Sequence, residues 1–285
     1  MKNWDDLRYL LALHKAGTMT AAAQILGTNV ATVSRRIEKM SETFGYPPFT
    51  RQNDRWMLTS RLQNLVETIE VFESALTREK NRAMMLSDDQ RLPIRVGTPP
   101  MVASQVLYPS FQYAMEALSH VGLEFFERVG GEGMGEHDIV IQPHRPVSGR
   151  LITQRVGSMR LALYAPRGYS GCTQWIGLSR SFDDLPSQQI GFRHFDTDPI
   201  IRTHLAEHVY QIMKTTGLPG IVPCTMVAHD PDMELLDPKT GAHDLDFWVA
   251  YHASRQGDPI IQATKDWISH CFKKLAEAEK TLPGF

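Results

Sequence analysis

Polar side chains within residues 20–39 have the types and the spacing that bind double-stranded DNA. Amide and hydroxyl groups hydrogen-bond to the edges of base pairs, and guanidinium groups bind guanine or the phosphate backbone. We predict that Asn29, Ser34 and Arg35 enter a groove, with Thr32 beside them. The complete set of candidate DNA contacts is Thr20, Asn29, Val30, Thr32, Ser34, Arg35, Arg36, Lys39, Arg51 and Arg55.

Two short helices are predicted ahead of these groove contacts. Apolar residues recur at helical spacing over residues 4–16, and Gly17 suits the left-handed position that ends a helix. Thr18 and Thr20 can each cap the next helix, residues 21–26, because a threonine hydroxyl accepts a hydrogen bond from a free N–H of the first turn.

A third helix presents the candidate contacts to solvent. Gly27 ends the second helix, and Thr28-Asn29 supplies the turn and the next cap before a helix over residues 30–43. One face of this helix is apolar and the other polar, as in the recognition helix of a helix-turn-helix. The face predicted to be buried contains Val33, Ile37 and Met40, and the exposed face contains Asn29, Thr32, Ser34, Arg35, Arg36 and Lys39.

A β-hairpin is predicted after the third helix. Residues 49–51 and 55–58 are short strand-like runs around a polar turn, which is the pattern of the wing in a winged helix. Arg51 and Arg55 would then face the phosphate backbone or the minor groove, and Arg36 is a further candidate for a backbone contact.

Charge is distributed unevenly along the 285 residues. The whole chain has 30 Lys and Arg against 32 Asp and Glu, a net charge of -2. Residues 1–61 contain nine basic and five acidic residues, a balance of +4, so the remaining 224 residues carry -6. Only the part of a protein that touches DNA has to neutralise its phosphates. A basic N-terminal segment (the head) attached to an acidic remainder (the body) is therefore typical of a protein whose nucleic-acid-binding domain is joined to another domain.

Residues 4–61 resemble the N-terminal domain of LysR-type transcriptional regulators. The resemblance implies a winged helix-turn-helix that docks its third helix on DNA. The chain departs from the family at residues 28–31, Thr-Asn-Val-Ala, where Ser-Gln-Pro-Ala is frequent, and at Leu62, where glycine is usual. An alternative is that this three-helix unit binds another protein. The matching segments are residues 6–10, 17–23, 26–27, 33–37, 49–51 and 58–59.

A heptad stripe follows the hairpin and predicts a long linker helix. Its apolar residues alternate at spacings of four and three, so a lone helix needs a partner to bury them. The family resemblance implies that this helix pairs two DNA-binding heads on a two-fold symmetric operator. Packing against the chain's own body is the alternative. The predicted dimerisation residues are Leu58, Leu62, Leu65, Ile69, Phe72 and Leu76.

Strands alternate with helices from residue 93 onward, which indicates an α/β body with mostly parallel sheets. One predicted helix is either broken or started late by Pro109, and another is capped at Asp198-Pro199 and ends at Gly217. The predicted strands are residues 94–97, 123–126, 138–142, 161–165, 221–222 and 246–251, and the predicted helices are 103–119, 198–214 and 258–280.

The resemblance to LysR-type regulators extends more weakly over the body. It implies a C-terminal two-lobed α/β domain resembling periplasmic binding proteins, with crossovers near residues 164–167 and 250–253. The glycine-rich segment 129–137 is shorter than the helix that the family places there. The predicted domains of this α/β protein are an all-α winged helix-turn-helix (1–61), a linker helix with a polar hinge at 88–91 (62–90) and an effector-binding domain (91–285), with lobe one formed by 92–164 plus 254–285 and lobe two by 165–250.

A small-molecule effector is expected in the cleft between the lobes, where strand carboxyl ends and helix amino ends meet. Arg193 and His194 are candidates to meet an anionic ligand, whereas Thr98 and Thr197 have the alternative role of helix caps. The candidate effector-binding residues are Thr98, Ser104, Gly130, Gly131, Arg193, His194 and Thr197.

A competing interpretation is enzymatic. Residues 204–208, His-Leu-Ala-Glu-His, match the H-x-x-E-H pattern of zinc hydrolases, with both histidines predicted on one helix face. Such a site needs a third ligand that the neighbouring sequence does not mark, so we predict no enzyme, metal or cofactor. A third interpretation is an interaction module that has lost DNA binding.

The remaining sequence features point to a reducing cytoplasm. Three cysteines (Cys172, Cys224 and Cys271) are too few for a disulfide framework, and Cys224 is either a redox sensor or, as we favour, a buried thiol. No apolar run reaches the roughly 18 residues that a membrane span requires.

Overall fold

The computed structural model describes residues 4–52, 55–84, 91–128, 134, 137–146, 150–238 and 241–282. The chain divides into two compact units, residues 1–80 and 81–285. Gly130, Gly131, most of the segment 129–137 and the hinge residues 88–90 lie outside the described residues.

The first unit is a winged helix-turn-helix, as predicted. Gly17 and Gly27 end the first two helices with φ of 68° and 61°, in the left-handed region that favours glycine. Thr18, rather than Thr20, caps the second helix, because its Oγ1 accepts a hydrogen bond from the N–H of Ala21 at 3.2 Å. The elements are α1 (Asp5–Ala16), α2 (Met19–Leu26), α3 (Val30–Phe44) and the antiparallel hairpin β1 (Phe49–Gln52) and β2 (Arg55–Leu58).

The predicted linker helix is α4 (Gln63–Met84), which follows a tight turn at Ser60–Leu62. Leu62 and Ile69 are buried in the same core as α1 and α3, so the start of the heptad stripe packs on the head of its own chain. Phe72 and Leu76 remain 46% and 56% exposed. The stripe therefore has two parts, a division that its regular spacing did not predict.

The second unit is built on one mixed sheet rather than on mostly parallel sheets. The strands β6 and β11, 16 and 11 residues long, run antiparallel through its middle, and parallel strands flank them on either side. The sheet order is β4-β3-β5-β11-β6-β9-β7-β8, with β10 paired to β6. The strands are β3 (Leu92–Thr98), β4 (Val121–Glu127), β5 (Ile139–Gln142), β6 (Leu151–Pro166), β7 (Ile176–Leu178), β8 (Ile201–Thr203), β9 (Gly220–Pro223), β10 (Met233–Leu235) and β11 (Ala242–His252).

The helix predicted from Asp198 to Lys214 is wrong. Asp196 ends one helix in the left-handed conformation, with φ of 52°, and β8 then pairs with β7 before another helix begins. The prediction for Gly217 holds, since it ends that second helix with φ of 74°. The helices of this unit are α5 (Pro100–Val102), α6 (Phe111–Ala117), α7 (Pro186–Phe195), α8 (Ala206–Thr216), α9 (Cys224–Val227) and α10 (Pro259–Glu279).

Large aromatic side chains dominate the core of the second unit. Trp175, Phe247 and Trp267 are fully buried.

Cys224 is buried as well, and burial raises the pKa of its thiol to about 12, which favours the buried-thiol interpretation over a redox sensor. Within the described ranges, no helix combines the length and the hydropathy of a membrane span.

Candidate functional site

The start of α3 is organised by a cap that uses two of the candidate DNA contacts. Asn29 Oδ1 accepts a hydrogen bond from the backbone N–H of Thr32 at 2.9 Å and one from the Thr32 hydroxyl at 3.0 Å. The side-chain oxygen of Asn29 is therefore engaged in the protein, and its exposed amide NH2 is the group it can offer to a base edge.

Two adjacent arginines of α3 have different environments. Arg35 is exposed. Arg36 is half-buried, its Nη1 lies 2.8 Å from Oδ1 of Asp6, and its guanidinium lies over the ring of Tyr9 at 5.5 Å. Because the Asp6 side chain is only 8% exposed, Arg36 neutralises a nearly buried carboxylate. A phosphate contact by Arg36 would have to share that guanidinium, whereas Arg35 faces solvent.

The remaining candidate DNA contacts lie on α2, α3 and the hairpin. Ser34 is half-buried and donates a hydrogen bond to Glu38 Oε1 at 2.9 Å. The hairpin is tied to the end of α1, since the N–H of Trp56 donates to the carbonyl of Gly17 at 2.8 Å. Besides Asn29 and Arg35, the exposed members of the set are Thr20, Val30, Lys39, Arg51 and Arg55.

A cavity of about 300 Å³ lies in the second unit, where parallel strands end and helices begin. The ends of β3, β4, β5 and β7 reach it, and α5, α7 and α8 start beside it. This is the position at which open α/β sheets bind ligands. Its polar lining residues are Arg128, Gln142, His144, Ser181, Ser187, Gln188, His204 and Glu207.

Those effector residues predicted from the sequence that the structure describes lie away from the wall of this cavity. Thr98 is buried and does not line the cavity. Ser104 does not line it either, but its Oγ donates a hydrogen bond of 2.9 Å to Oε1 of Glu207, which does. Arg193, His194 and Thr197 are exposed and do not line the cavity. The cause is the error in the helix assignment, because Arg193 and His194 lie in the last turn of α7 and not ahead of a helix start.

Sequence reasoning missed three residues that line this cavity. Arg128 follows β4 directly, and burial lowers the pKa of its guanidinium. Gln188 is buried on α7, and its Oε1 accepts a hydrogen bond from the N–H of Leu178 at 2.8 Å. Glu207 lies in the first turn of α8. Their positions in the chain could have indicated them, because each residue follows the end of a strand or belongs to the first turn of a helix.

The H-x-x-E-H pattern does not have the geometry of a metal site. His204 precedes α8, because Leu205 is extended at φ -124° and ψ 139°, so the two histidines do not share one helix face as predicted. His204 Nδ1 lies 2.9 Å from Ser179 Oγ, and His208 Nδ1 lies 3.2 Å from Thr203 Oγ1. Among the described residues, no three His, Cys, Asp or Glu side chains are grouped to hold a metal ion.

Comparison with known sequences identifies the head. Residues 4–61 match the model of the bacterial regulatory helix-turn-helix proteins of the lysR family. The chain is also 27% identical over 172 residues to the Mau operon transcriptional activator of Paracoccus denitrificans. That alignment covers 58% of this chain and 59% of the relative, so the chain spans less than two thirds of that protein.

Comparison with solved structures covers nearly the whole chain. The crystal structure of ArgP from Mycobacterium tuberculosis has a TM-score of 0.64 and 17% identity, covering 96% of this chain and 99% of that one. Full-length LysG from Corynebacterium glutamicum, solved with bound effector Arg, has a TM-score of 0.62 and 16% identity, covering 95% of this chain and 98% of that one. At these identities the likeness establishes the fold.

Proposed function

We propose that the chain is a DNA-binding transcription factor of the LysR type, since residues 4–61 match the helix-turn-helix model of that family. The observation that carries this proposal is the polar amino end of α3, where the exposed Asn29 and Arg35 and the half-buried Thr32 lie within two turns. The amino end of a recognition helix is the part that reaches base edges in the major groove. Arg51 and Arg55 on the hairpin supply positive charge for the backbone.

The protein binds its site as an oligomer of identical chains. Phe72 and Leu76 are exposed on α4, on the stripe whose start is buried in the head. A second α4 covers these side chains and relates two heads by two-fold symmetry, so the operator is an interrupted, roughly palindromic sequence. A dimer meets this requirement, and a tetramer is a pair of such dimers.

The cavity of the second unit takes a small-molecule effector that modulates DNA binding. Its location at strand carboxyl ends and its largely apolar lining are those of a metabolite site. The LysG structure with a bound effector supports a ligand in a protein of this fold. The effector acts through a difference in affinity for two arrangements of the oligomer, and the protein works in the cytoplasm as a regulator rather than an enzyme.

Mapping of bound DNA across the genome tests the function directly. We expect a small number of enriched sites that share an interrupted palindrome, and purified full-length protein should retard these fragments in a mobility shift. Because several arginines contact phosphates, the affinity should fall by about 1,000-fold or more between 50 and 200 mM salt. Equal retardation of enriched and shuffled fragments would contradict the proposal.

Replacing Leu76 by glutamate tests the role of α4. The side chain is exposed within one chain, so the head should stay folded, whereas a buried charge in the pair of helices should dissociate the oligomer. Val71→Glu is the matched control, because Val71 is 52% exposed on the same helix but off the stripe. Light scattering should show smaller particles for Leu76→Glu alone. If both variants keep the native mass, α4 is not the dimer interface.

A further inference from the structure

Two glutamines of the cavity wall are held by hydrogen bonds within the protein. Gln188 Oε1 accepts a hydrogen bond from the N–H of Leu178 at 2.8 Å. Gln142 Nε2 donates to the carbonyl of His144 at 3.0 Å. These hydrogen bonds fix the orientation of the two amide groups at the wall.

Glu207 differs, because within the described part of the chain it is the lining residue with a buried side-chain atom that lacks a hydrogen-bond partner. Its Oε1 accepts a hydrogen bond from Ser104 Oγ at 2.9 Å. Its Oε2 is buried and has no hydrogen-bond partner among the described residues. A buried carboxylate oxygen without a donor is unfavourable, and a rotation of the Glu207 side chain would present this oxygen to a donor in the cavity. Glu207 lines the cavity, and a ligand can supply that donor.

The charge of Glu207 and the apolar wall around it favour a cationic donor on an apolar skeleton. A negatively charged oxygen repels carboxylate or phosphate ligands and pairs most strongly with a charged N–H group. The rest of the wall is largely hydrocarbon, which disfavours a polyhydroxylated molecule. The apolar lining includes Met101, Ile141, Leu161, Phe182, Ile221 and Leu245.

We propose that the cavity takes a small apolar molecule with a protonated amino group, which donates a hydrogen bond to Glu207 Oε2. This assignment rests on the proposed function only in treating the cavity as the effector site. It replaces the anionic ligand that Arg193 and His194 suggested in the sequence. A volume of about 300 Å³ accommodates a molecule the size of an amino acid or a short amine.

Ligands that share a carbon skeleton and differ in their charged group test, on the full-length protein, whether binding requires a protonated amino group. The probes are phenethylamine, phenylalanine and 3-phenylpropanoate, together with hexylamine, norleucine and hexanoate, each added at millimolar concentration near pH 7 while thermal unfolding is followed. Probes that carry an amine should raise the Tm, since a ligand stabilises the state that binds it, and the two acids should not. A larger effect of the amino acids than of the amines indicates that Arg128, which also lines the cavity, holds a carboxylate.

Stabilisation by the acids alone, or by none of the six compounds, would overturn the assignment. Binding is measured without DNA. A protein that binds amines but no operator would therefore refute the proposed function and leave this assignment standing. A protein that binds its operator but no amine would refute this assignment and leave the proposed function standing.

The variant Glu207→Gln examines the residue itself. It keeps an oxygen for Ser104 and removes the buried charge, so the ligand-free protein should unfold at an unchanged or higher temperature, while the affinity for the stabilising amines should fall by at least about tenfold. Glu116→Gln, an exposed position on α6, is the control and should change neither quantity. A marked loss of Tm in Glu207→Gln, or full retention of amine binding, would show that Glu207 stabilises the fold and does not bind the ligand.

Discussion

Replacing Arg35 by alanine is expected to weaken binding to an enriched operator by about 10- to 100-fold, because a bidentate contact between an arginine and a base contributes about 1–3 kcal/mol. The sequence preference at the contacted base pair should relax at the same time, whereas binding to unrelated DNA should fall much less. Arg35 is exposed on α3, so the stability of the head should not change. Titrations of the operator and of single-base variants, at one fixed salt concentration, measure both effects.

Arg36→Ala is the matched neighbour and should behave differently. It leaves the carboxylate of Asp6, which is 8% exposed, without its cation, and a buried group left unpaired costs about 1–3 kcal/mol or more. The Tm of the head should fall, and any loss of affinity should be similar for all base-pair variants. If Arg35→Ala leaves affinity and base preference unchanged while Arg36→Ala alters the preference, the recognition contacts have been assigned to the wrong arginine.

Gly191→Ala is expected to destabilise the second unit by about 1–3 kcal/mol, the usual cost of adding a methyl group to a filled core. Three ring atoms of Trp175 lie within 2.8 Å of the place where the new Cβ would stand, and Trp175 is fully buried. On an exposed helix the same substitution would be favourable by about 0.5–1 kcal/mol, so even the direction of the effect distinguishes the two environments. Calorimetry or denaturant unfolding of the full chain provides the measurement.

Gly122→Ala is the control for that substitution. Its nearest neighbours would lie 3.8 Å from the added Cβ, which is ordinary contact, so its stability should stay within about 0.5 kcal/mol of the parent. Because Gly191 lies on α7, whose first turn borders the cavity, its variant should also weaken the stabilisation by amine probes. Equal stability of both variants would mean that the ring of Trp175 moves aside without cost.

The head could be predicted almost residue by residue, because its signals are local. Left-handed glycines end helices at Gly17 and Gly27, and the side chain of Asn29 caps the next one, so the boundaries depend on a few neighbouring residues. The ion pair between Asp6 and Arg36 was not predicted, since the two residues are 30 positions apart and no local pattern connects them.

The body was predicted less well, for the same reason. Asp198-Pro199 has the composition of a helix start, but pairing of β8 with β7 overrides that preference and draws the segment into the sheet. The cavity collects side chains from strands and helices far apart in the chain, so Glu207 and Arg128 could be recognised only after the strand order was known.

The burial of Leu62 and Ile69 in the head has a consequence for the operator. The start of α4 shares a core with α1 and α3, and the pair Lys15–Glu73, at 2.9 Å, fastens α1 to α4 further along. Each recognition helix therefore moves as one unit with the α4 of its own chain. One extra base pair between half-sites turns the second site by about 34° around the double helix. If two chains pair through α4 as proposed, recognition of the operator depends on the rotational phase of its half-sites, and the paired α4 helices set that phase.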